Sequence, residues 1–197
     1  MAAMEALGAT SPGPAEVTQV AHDSAAAVVG VGRAARDPAT TARLVALVDE
    51  LGLDTIAELW SARPARSLPG ALWRLYALRE WVRRAPATAS REYAAGMRAA
   101  ETAHVIAGVA EPPGPQELST LVDAILTGVY DGEFDVALNR AGAFCRVISV
   151  GRSDLAHETD LRDADLGRHE TEAAAAMLAT GLDLERAAAA WRAGSLT

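Results

Sequence analysis

The side chains best suited to bind a ligand are concentrated between residues 60 and 91. This segment carries seven arginines against one acid, Glu80, in a chain whose formal net charge is −8. A guanidinium group is always charged and binds carboxylate or phosphate oxygens in pairs. Arg79 and Arg83 follow Tyr76 by three and seven residues, so a helix would bring these three side chains to one side. The pattern predicts a pocket for a small anion.

The position of Arg79 also admits a structural role. On a helix over residues 71–84, Arg79 falls in the middle of an apolar arc. That arc holds Leu72, Leu75 and Val82. Burying an unpaired guanidinium costs several kcal/mol, so a buried Arg79 needs a carboxylate from another helix. The sequence leaves both roles open.

A second use for the arginines is contact with DNA phosphates. A helix over 40–51, a helix over 54–62 and then residues 67–76 resemble, in this order, the three-helix DNA-binding head of tetracycline-repressor-type regulators. In that family a small-residue turn opens the recognition helix shortly before an aromatic residue. The resemblance implies a DNA-binding regulator that uses residues 40–84. The phosphate contacts would come from arginines outside the apolar arc: Arg63, Arg66, Arg74 and Arg84.

A further resemblance covers most of the chain. Residues 68–76 (LPGALWRLY), 78–84 (LREWVRR) and 143–147 (AFCRV) are similar to a family of small helical proteins of bacteria with high-GC genomes, for which no activity is known. The resemblance implies a helical fold and carries over no catalytic residue.

Seven potential metal ligands lie within fourteen residues in the last quarter of the chain. They are His157, Glu158, Asp160, Asp163, Asp165, His169 and Glu170. Their spacing matches no metal-binding loop of known mechanism, and acids are stabilised at the start of a helix by its dipole. We therefore expect an acidic helix start, with no metal and no other cofactor.

The remaining reactive groups are expected in the core. Cys145 lies between Ala141 and Ile148 in an apolar stripe, which is typical of a small buried residue and not of a nucleophile. His104 lies on a helix face with small and apolar residues. His22 begins a His-Asp pair that resembles the metal-binding dipeptide of HD-type phosphohydrolases, but those sites need an earlier histidine and none precedes His22. We expect no catalytic residues, which favours a protein that is not an enzyme.

Helical periodicity runs through nearly the whole chain, and no segment alternates as a strand does. Helices are predicted over 15–36, 40–51, 54–63, 67–84, 87–109, 117–129, 133–152 and 167–193. Residues 153–166 are expected to be acidic and irregular. The fold class predicted is all-α: a flexible arm over 1–14 and a single domain of seven to eight helices over 15–197. The proline-rich connector 111–115 could divide that domain.

Composition narrows the function classes. All 18 basic residues are arginine, which rules out a Schiff-base lysine and a phosphate-loop lysine. The single cysteine excludes an intramolecular disulfide. No apolar run reaches the ~18 residues of a transmembrane helix, and the first residues lack the pattern of a signal peptide. We expect a cytoplasmic protein with no membrane partner, and its negative charge disfavours coating DNA nonspecifically.

The distribution of charge carries the leading functional prediction. Residues 154–185 hold nine acids against two arginines, whereas residues 60–91 are strongly basic. Oppositely charged surfaces attract, either within one chain or between two copies. We predict a non-enzymatic interaction or regulatory protein whose partner is another protein, with a second copy of itself as one candidate. A DNA-binding regulator and a small-anion-binding protein are the alternatives.

Overall fold

The computed structural model describes residues 13–35, 37–103, 112–161 and 163–196. Within these ranges there are nine helices, eight of them of seven residues or more, and no strand, so the all-α prediction is confirmed. The helices are α1 (Pro14–Ala35), α2 (Pro38–Val45), α3 (Leu47–Leu51), α4 (Leu53–Trp60), α5 (Leu68–Arg84), α6 (Pro86–Ala103), α7 (Pro115–Tyr130), α8 (Phe134–Asp160) and α9 (Ala164–Arg192). Residues 1–12 of the arm expected over 1–14, His104 and the end of the helix expected to reach residue 109 lie outside the described residues.

Helix α5 begins and ends as its sequence predicts. The Ser67 hydroxyl accepts a hydrogen bond from the Gly70 amide at 3.2 Å, and Pro69 lies in the first turn, where its missing N–H costs nothing. Pro86 then starts α6. Most of the circumference of α5 is buried, which makes it the central helix of this part of the fold. Its buried apolar residues are Leu68, Ala71, Leu72, Leu75, Tyr76, Leu78 and Val82.

The prediction of one helix over 40–51 was wrong, because the chain breaks at Ala46 into α2 and α3. Asp37 caps α2 by accepting the Thr40 amide at 2.9 Å, and Pro38 occupies its first turn. Gly52 is the N-cap residue of α4, with φ +83°, and Asp54 falls inside the first turn, where the helix dipole favours its charge.

The prediction of an irregular segment over 153–166 was also wrong. Helix α8 continues to Asp160, and α9 begins at Ala164. The two helices lie so close here that a Cβ on Gly167 would come within 2.7 Å of the Asp160 Cα. Ala156 of α8 is also buried. Packing of this hairpin therefore extends α8 through a stretch whose own sequence is acidic.

Small residues let the C-terminal helices approach closely. A Cβ on Gly151 of α8 would lie 1.8 Å from the Glu92 carbonyl oxygen of α6. Gly142 and Gly181 face each other where α8 crosses α9, since a Cβ on either would lie 3.0 Å from the other's carbonyl oxygen. Helix α9 runs unbroken through Gly181. The glycines thus replace side-chain contact with backbone contact at both crossings.

Candidate functional site

Arg79 of α5 is buried, with 4% of its side chain exposed, and it forms ion pairs with two other helices. Its Nε donates a hydrogen bond to Asp123 Oδ1 of α7 at 2.6 Å. Its Nη2 lies 3.5 Å from Asp49 Oδ2 of α3. The prediction that a buried Arg79 needs a carboxylate partner is confirmed, because Asp49 and Asp123 both pair with it.

Arg83 joins the same group of charges. Its Nη1 donates to Asp49 Oδ2 at 2.7 Å, and this hydrogen bond raises the pKa of Arg83. We call Arg79, Arg83, Asp49 and Asp123 the Arg79 cluster. Its two cations are balanced by two carboxylates, so its formal charge is zero. One donor is left over, because Nη1 of Arg79 is buried and has no hydrogen-bond partner in the described part of the chain.

A cavity of about 410 Å³ opens beside the Arg79 cluster. Its lining comes from the end of α5, from the first residue of α6 and from α7 between Pro115 and Asp123. The lining residues are Arg83, Pro86, Pro115, Gln116, Ser119 and Asp123.

Tyr76 was expected to line a pocket together with Arg79 and Arg83. Its hydroxyl donates to the Leu44 carbonyl oxygen at 2.6 Å and forms a short hydrogen bond with the Tyr130 hydroxyl. Burial raises the pKa of Tyr76 to about 12, against the smaller opposing effects of the Tyr130 hydrogen bond and the Arg79 charge. Burial likewise raises the pKa of Tyr130 well above its ordinary value. The hydroxyl of Tyr76 thus joins α5 to α2 and α7 inside the core.

The arginines that were expected to contact DNA differ in their surroundings. Arg63 Nη1 donates to Thr18 Oγ1 at 2.7 Å, and Arg84 Nε donates to Glu80 Oε1 at 2.6 Å. Arg74 Nη1 donates to a backbone carbonyl oxygen of its own helix at 2.9 Å. Arg66 is exposed and has no ion pair among the described residues. DNA contact by these four arginines stays a prediction.

A groove of about 280 Å³ separates α5 from α9, and two tryptophans line it. Trp73 and Trp81 are both half-buried. Arg74 spans the groove to Asp183 of α9 at 3.5 Å. The guanidinium of Arg152 lies over the Trp81 ring, 4.8 Å from its centroid. We call this the aromatic groove, lined by Trp73, Arg74, Ala77, Leu78, Trp81, Met177 and Thr180.

The α8–α9 turn presents apolar side chains among acids. Leu161 is 78% exposed, the most of any large apolar residue described, and Leu166 is 48% exposed. We call residues 154–172 the acidic tip; their sequence holds seven acids and two arginines. In contrast, Asp183 and Glu185 of the same acidic stretch are paired within the chain, Glu185 with Arg146 through two hydrogen bonds of 2.6 Å.

The described residues bring no three histidine, cysteine or acidic side chains together in a way that could hold a metal ion. His157 and Asp160 do share a cavity of about 440 Å³ at the acidic tip, together with Arg168. Cys145 is fully buried, as its place in the apolar stripe predicts, and burial raises the pKa of its thiol to about 12. The thiol is therefore protonated and shielded at neutral pH.

Comparison with protein-family models, with curated proteins and with solved structures found no match to this chain. None of the described helices is both long and apolar enough to span a membrane.

Sequence reasoning missed the partners of the buried arginines. Asp49 and Asp123 lie 30 and 44 residues from Arg79, and no local pattern links them to it. Asp123 did carry a signal, because it directly follows Val122 at the edge of the apolar stripe of α7. Glu92 and Arg152, which pair at 2.8 Å between α6 and α8, were likewise not singled out.

Proposed function

We propose that this chain is a non-enzymatic interaction protein that self-associates by placing the acidic tip of one copy in the aromatic groove of another. The observation that carries the proposal is the occurrence, on one chain, of a groove with two half-buried tryptophans and a turn whose leucines are exposed. The two surfaces also differ in charge. They are complementary in apolar content, and a cation, Arg74, lines the groove, whereas acids outnumber arginines at the tip.

The aromatic groove has the composition of an interaction site. Tryptophan and arginine are the residues that contribute most often to binding energy at protein interfaces. Trp73 and Trp81 line the same groove from one face of α5, and Met177 of α9 adds an adaptable apolar side chain opposite them. Arg74 is the one charged residue of the groove lining, and its ion pair with Asp183 is long, at 3.5 Å. A partner with apolar side chains among acids fits such a groove.

The acidic tip supplies that partner chemistry. Leu161 is exposed at the turn and Leu166 lies in the first turn of α9, each with acids close by in sequence. Burying one leucine side chain at an interface removes roughly 1.5–3 kcal/mol of unfavourable hydration. The acids steer the approach, and salt screens this steering because the Debye length falls from ~10 Å at 0.1 M to ~3 Å at 1 M. A second copy of the chain therefore carries both the apolar side chains and the acids that the groove would bind.

Light scattering across protein concentration and ionic strength tests the proposal. We expect mass above that of the monomer at low salt, decreasing as salt rises. Leu161→Arg adds a positive charge and removes the apolar contact, so it should weaken association by at least about tenfold. The matched control is Leu51→Arg, a half-exposed leucine on α3, which should associate as the unaltered chain does. A monomer at all salt concentrations would exclude self-association.

A second candidate function is binding of a small anion at the Arg79 cluster. The observation that favours it is the buried Nη1 of Arg79, a donor without an acceptor, near a cavity that Arg83 lines. Inorganic phosphate and citrate are suitable probes in a thermal-shift assay. We expect them to raise the melting temperature of the unaltered chain and not that of Arg83→Gln. An equal shift in both proteins would mean that the anion binds elsewhere.

A further inference from the structure

A smaller cavity lies where α6, α8 and α9 meet. Its volume is about 200 Å³, below the roughly 300–1,000 Å³ of sites for drug-sized ligands. Two cations, two carboxylates and two apolar side chains form its walls: Arg91, Glu92, Arg152, Leu155, Glu170 and Ala173. A cavity of this size and composition suits a compact polar molecule.

Two of the charged residues are already satisfied by each other. Arg152 Nε donates to Glu92 Oε2 at 2.8 Å, and Arg152 Nη1 donates to the Ala173 carbonyl oxygen at 3.3 Å. The guanidinium of Arg152 is also held against the Trp81 ring. Both side chains are mostly buried, with 16% of Arg152 and 12% of Glu92 exposed. These contacts make one wall of the cavity rigid and electrically neutral.

The other two charged residues are not satisfied. Oε2 of Glu170 is buried and has no hydrogen-bond partner in the described part of the chain. A buried carboxylate oxygen without a donor is costly. Arg91 is exposed, and the described residues give it no ion pair, not even with Glu170 of the same cavity. The lining of this cavity therefore contains a carboxylate oxygen without a donor and a guanidinium that does not pair with it.

We propose that this cavity binds a small zwitterion of the α-amino acid class. The ammonium group donates to Oε2 of Glu170, and the carboxylate accepts from the guanidinium of Arg91, which matches carboxylate geometry. Leu155 and Ala173 provide an apolar wall for an aliphatic side chain. The volume of about 200 Å³ limits the ligand to a compact molecule such as a small aliphatic amino acid. Self-association is not required for this site.

Calorimetric titration with three related probes tests the proposal: L-leucine, 3-methylbutylamine, which lacks the carboxylate, and 4-methylpentanoate, which lacks the ammonium. We expect L-leucine to bind at least about tenfold more tightly than either of the other two, because only the zwitterion meets both unsatisfied groups. No heat from L-leucine at about 10 mM, where a ligand with a millimolar dissociation constant is bound, would overturn the proposal. Equal binding of the amine would also overturn it.

Two variants locate the site. Glu170→Gln keeps the shape of the side chain and Arg91→Gln alters an exposed residue, so both should fold, and each should weaken L-leucine binding by about tenfold or more. Arg66→Gln is the matched control, since Arg66 is another exposed arginine without an ion pair among the described residues, and it should bind as the unaltered chain does. Unchanged binding of L-leucine to Glu170→Gln would overturn the proposal. A crystal structure of the unaltered chain with L-leucine present that shows only water on Oε2 of Glu170 would overturn it as well.

Discussion

At the residue scale, the side chains of the Arg79 cluster differ in how far they are exposed to water. The Arg79 side chain is 4% exposed, whereas the side chains of Asp49 and Asp123 are 40% and 44% exposed. Water can solvate the two carboxylates if the cation is removed. The guanidinium is only 4% exposed, so water solvates it poorly if the carboxylates lose their charge. The stability that each residue provides therefore depends on which partner is left behind.

Removing the carboxylates should cost more than removing the cation. We expect Asp49→Asn combined with Asp123→Asn to lower the free energy of unfolding by about 3 kcal/mol, because the buried charge of Arg79 is left uncompensated. Arg79→Met should lower it by about 1 kcal/mol or less. Glu50→Gln, which breaks the pair with the exposed Arg43, should change it by under about 0.5 kcal/mol. Urea unfolding measures all three, and a larger loss in Arg79→Met would contradict the argument.

Stability should fall at alkaline pH. Burial raises the pKa of Cys145 from 9.0 and that of Tyr76 from 10.0, each to about 12. Below pH 9 both states keep these protons, and the contribution to stability is fully present. At higher pH the unfolded chain releases protons that the folded chain retains, so stability is lost progressively as pH rises through about 12. In urea unfolding measured across pH, Cys145→Ala should move the pH at which stability begins to fall from about 9 towards 10. If that pH is unchanged, the thiol is not the cause of the loss.

At the element scale, close approach of backbones determines how α6, α8 and α9 pack. The Gly151 Cα faces the Glu92 carbonyl oxygen, and the nearest atom to an added Cβ is therefore backbone, which cannot rotate away. Gly30 in α1 is the opposite case, since nothing lies within 4 Å of a Cβ added there. Replacing glycine by alanine should thus lower the stability of the fold at one position and raise it at the other.

Gly151→Ala should destabilise the fold by about 3 kcal/mol or more, because α6 and α8 must separate to admit the methyl group. Gly30→Ala should stabilise it by roughly 0.5–1 kcal/mol, since alanine is the better helix former and its methyl group meets no clash. Thermal unfolding followed by circular dichroism measures both. A neutral Gly151→Ala would mean that the crossing of α6 and α8 is looser than the structure has it.

The accuracy of sequence-based prediction also varies by element. Helix α5 was predicted within a residue because Ser67, Pro69 and Pro86 act locally on its ends. The end of α8 was missed because it depends on contact with α9, which its own acidic sequence does not encode. The partners of Arg79 were missed for the same reason. The burial of Arg79 could be predicted from the sequence of one helix. The identity of its carboxylate partners depends on how three helices pack together.

At the scale of the whole molecule, the acidic tip and the aromatic groove are different surfaces of one chain. A contact between unlike surfaces is heterologous, so it either closes by symmetry or adds further copies without limit. Reciprocal exchange between two copies would give a dimer of fixed mass. Head-to-tail addition would give a mass that keeps rising with concentration. Both follow from the same contact, and both need an intact tip and an intact groove.

Mixing two defective variants isolates that contact. Leu161→Arg removes the exposed leucine of the acidic tip. Ala77→Glu places an acid in the aromatic groove, where it repels the acids of an incoming tip. Each variant alone should be monomeric, because each lacks one half of the contact. The mixture retains one intact groove and one intact tip, so it should form one-to-one complexes and nothing larger, as measured by light scattering at low salt. Mixtures that stay monomeric would show that these two surfaces do not bind each other.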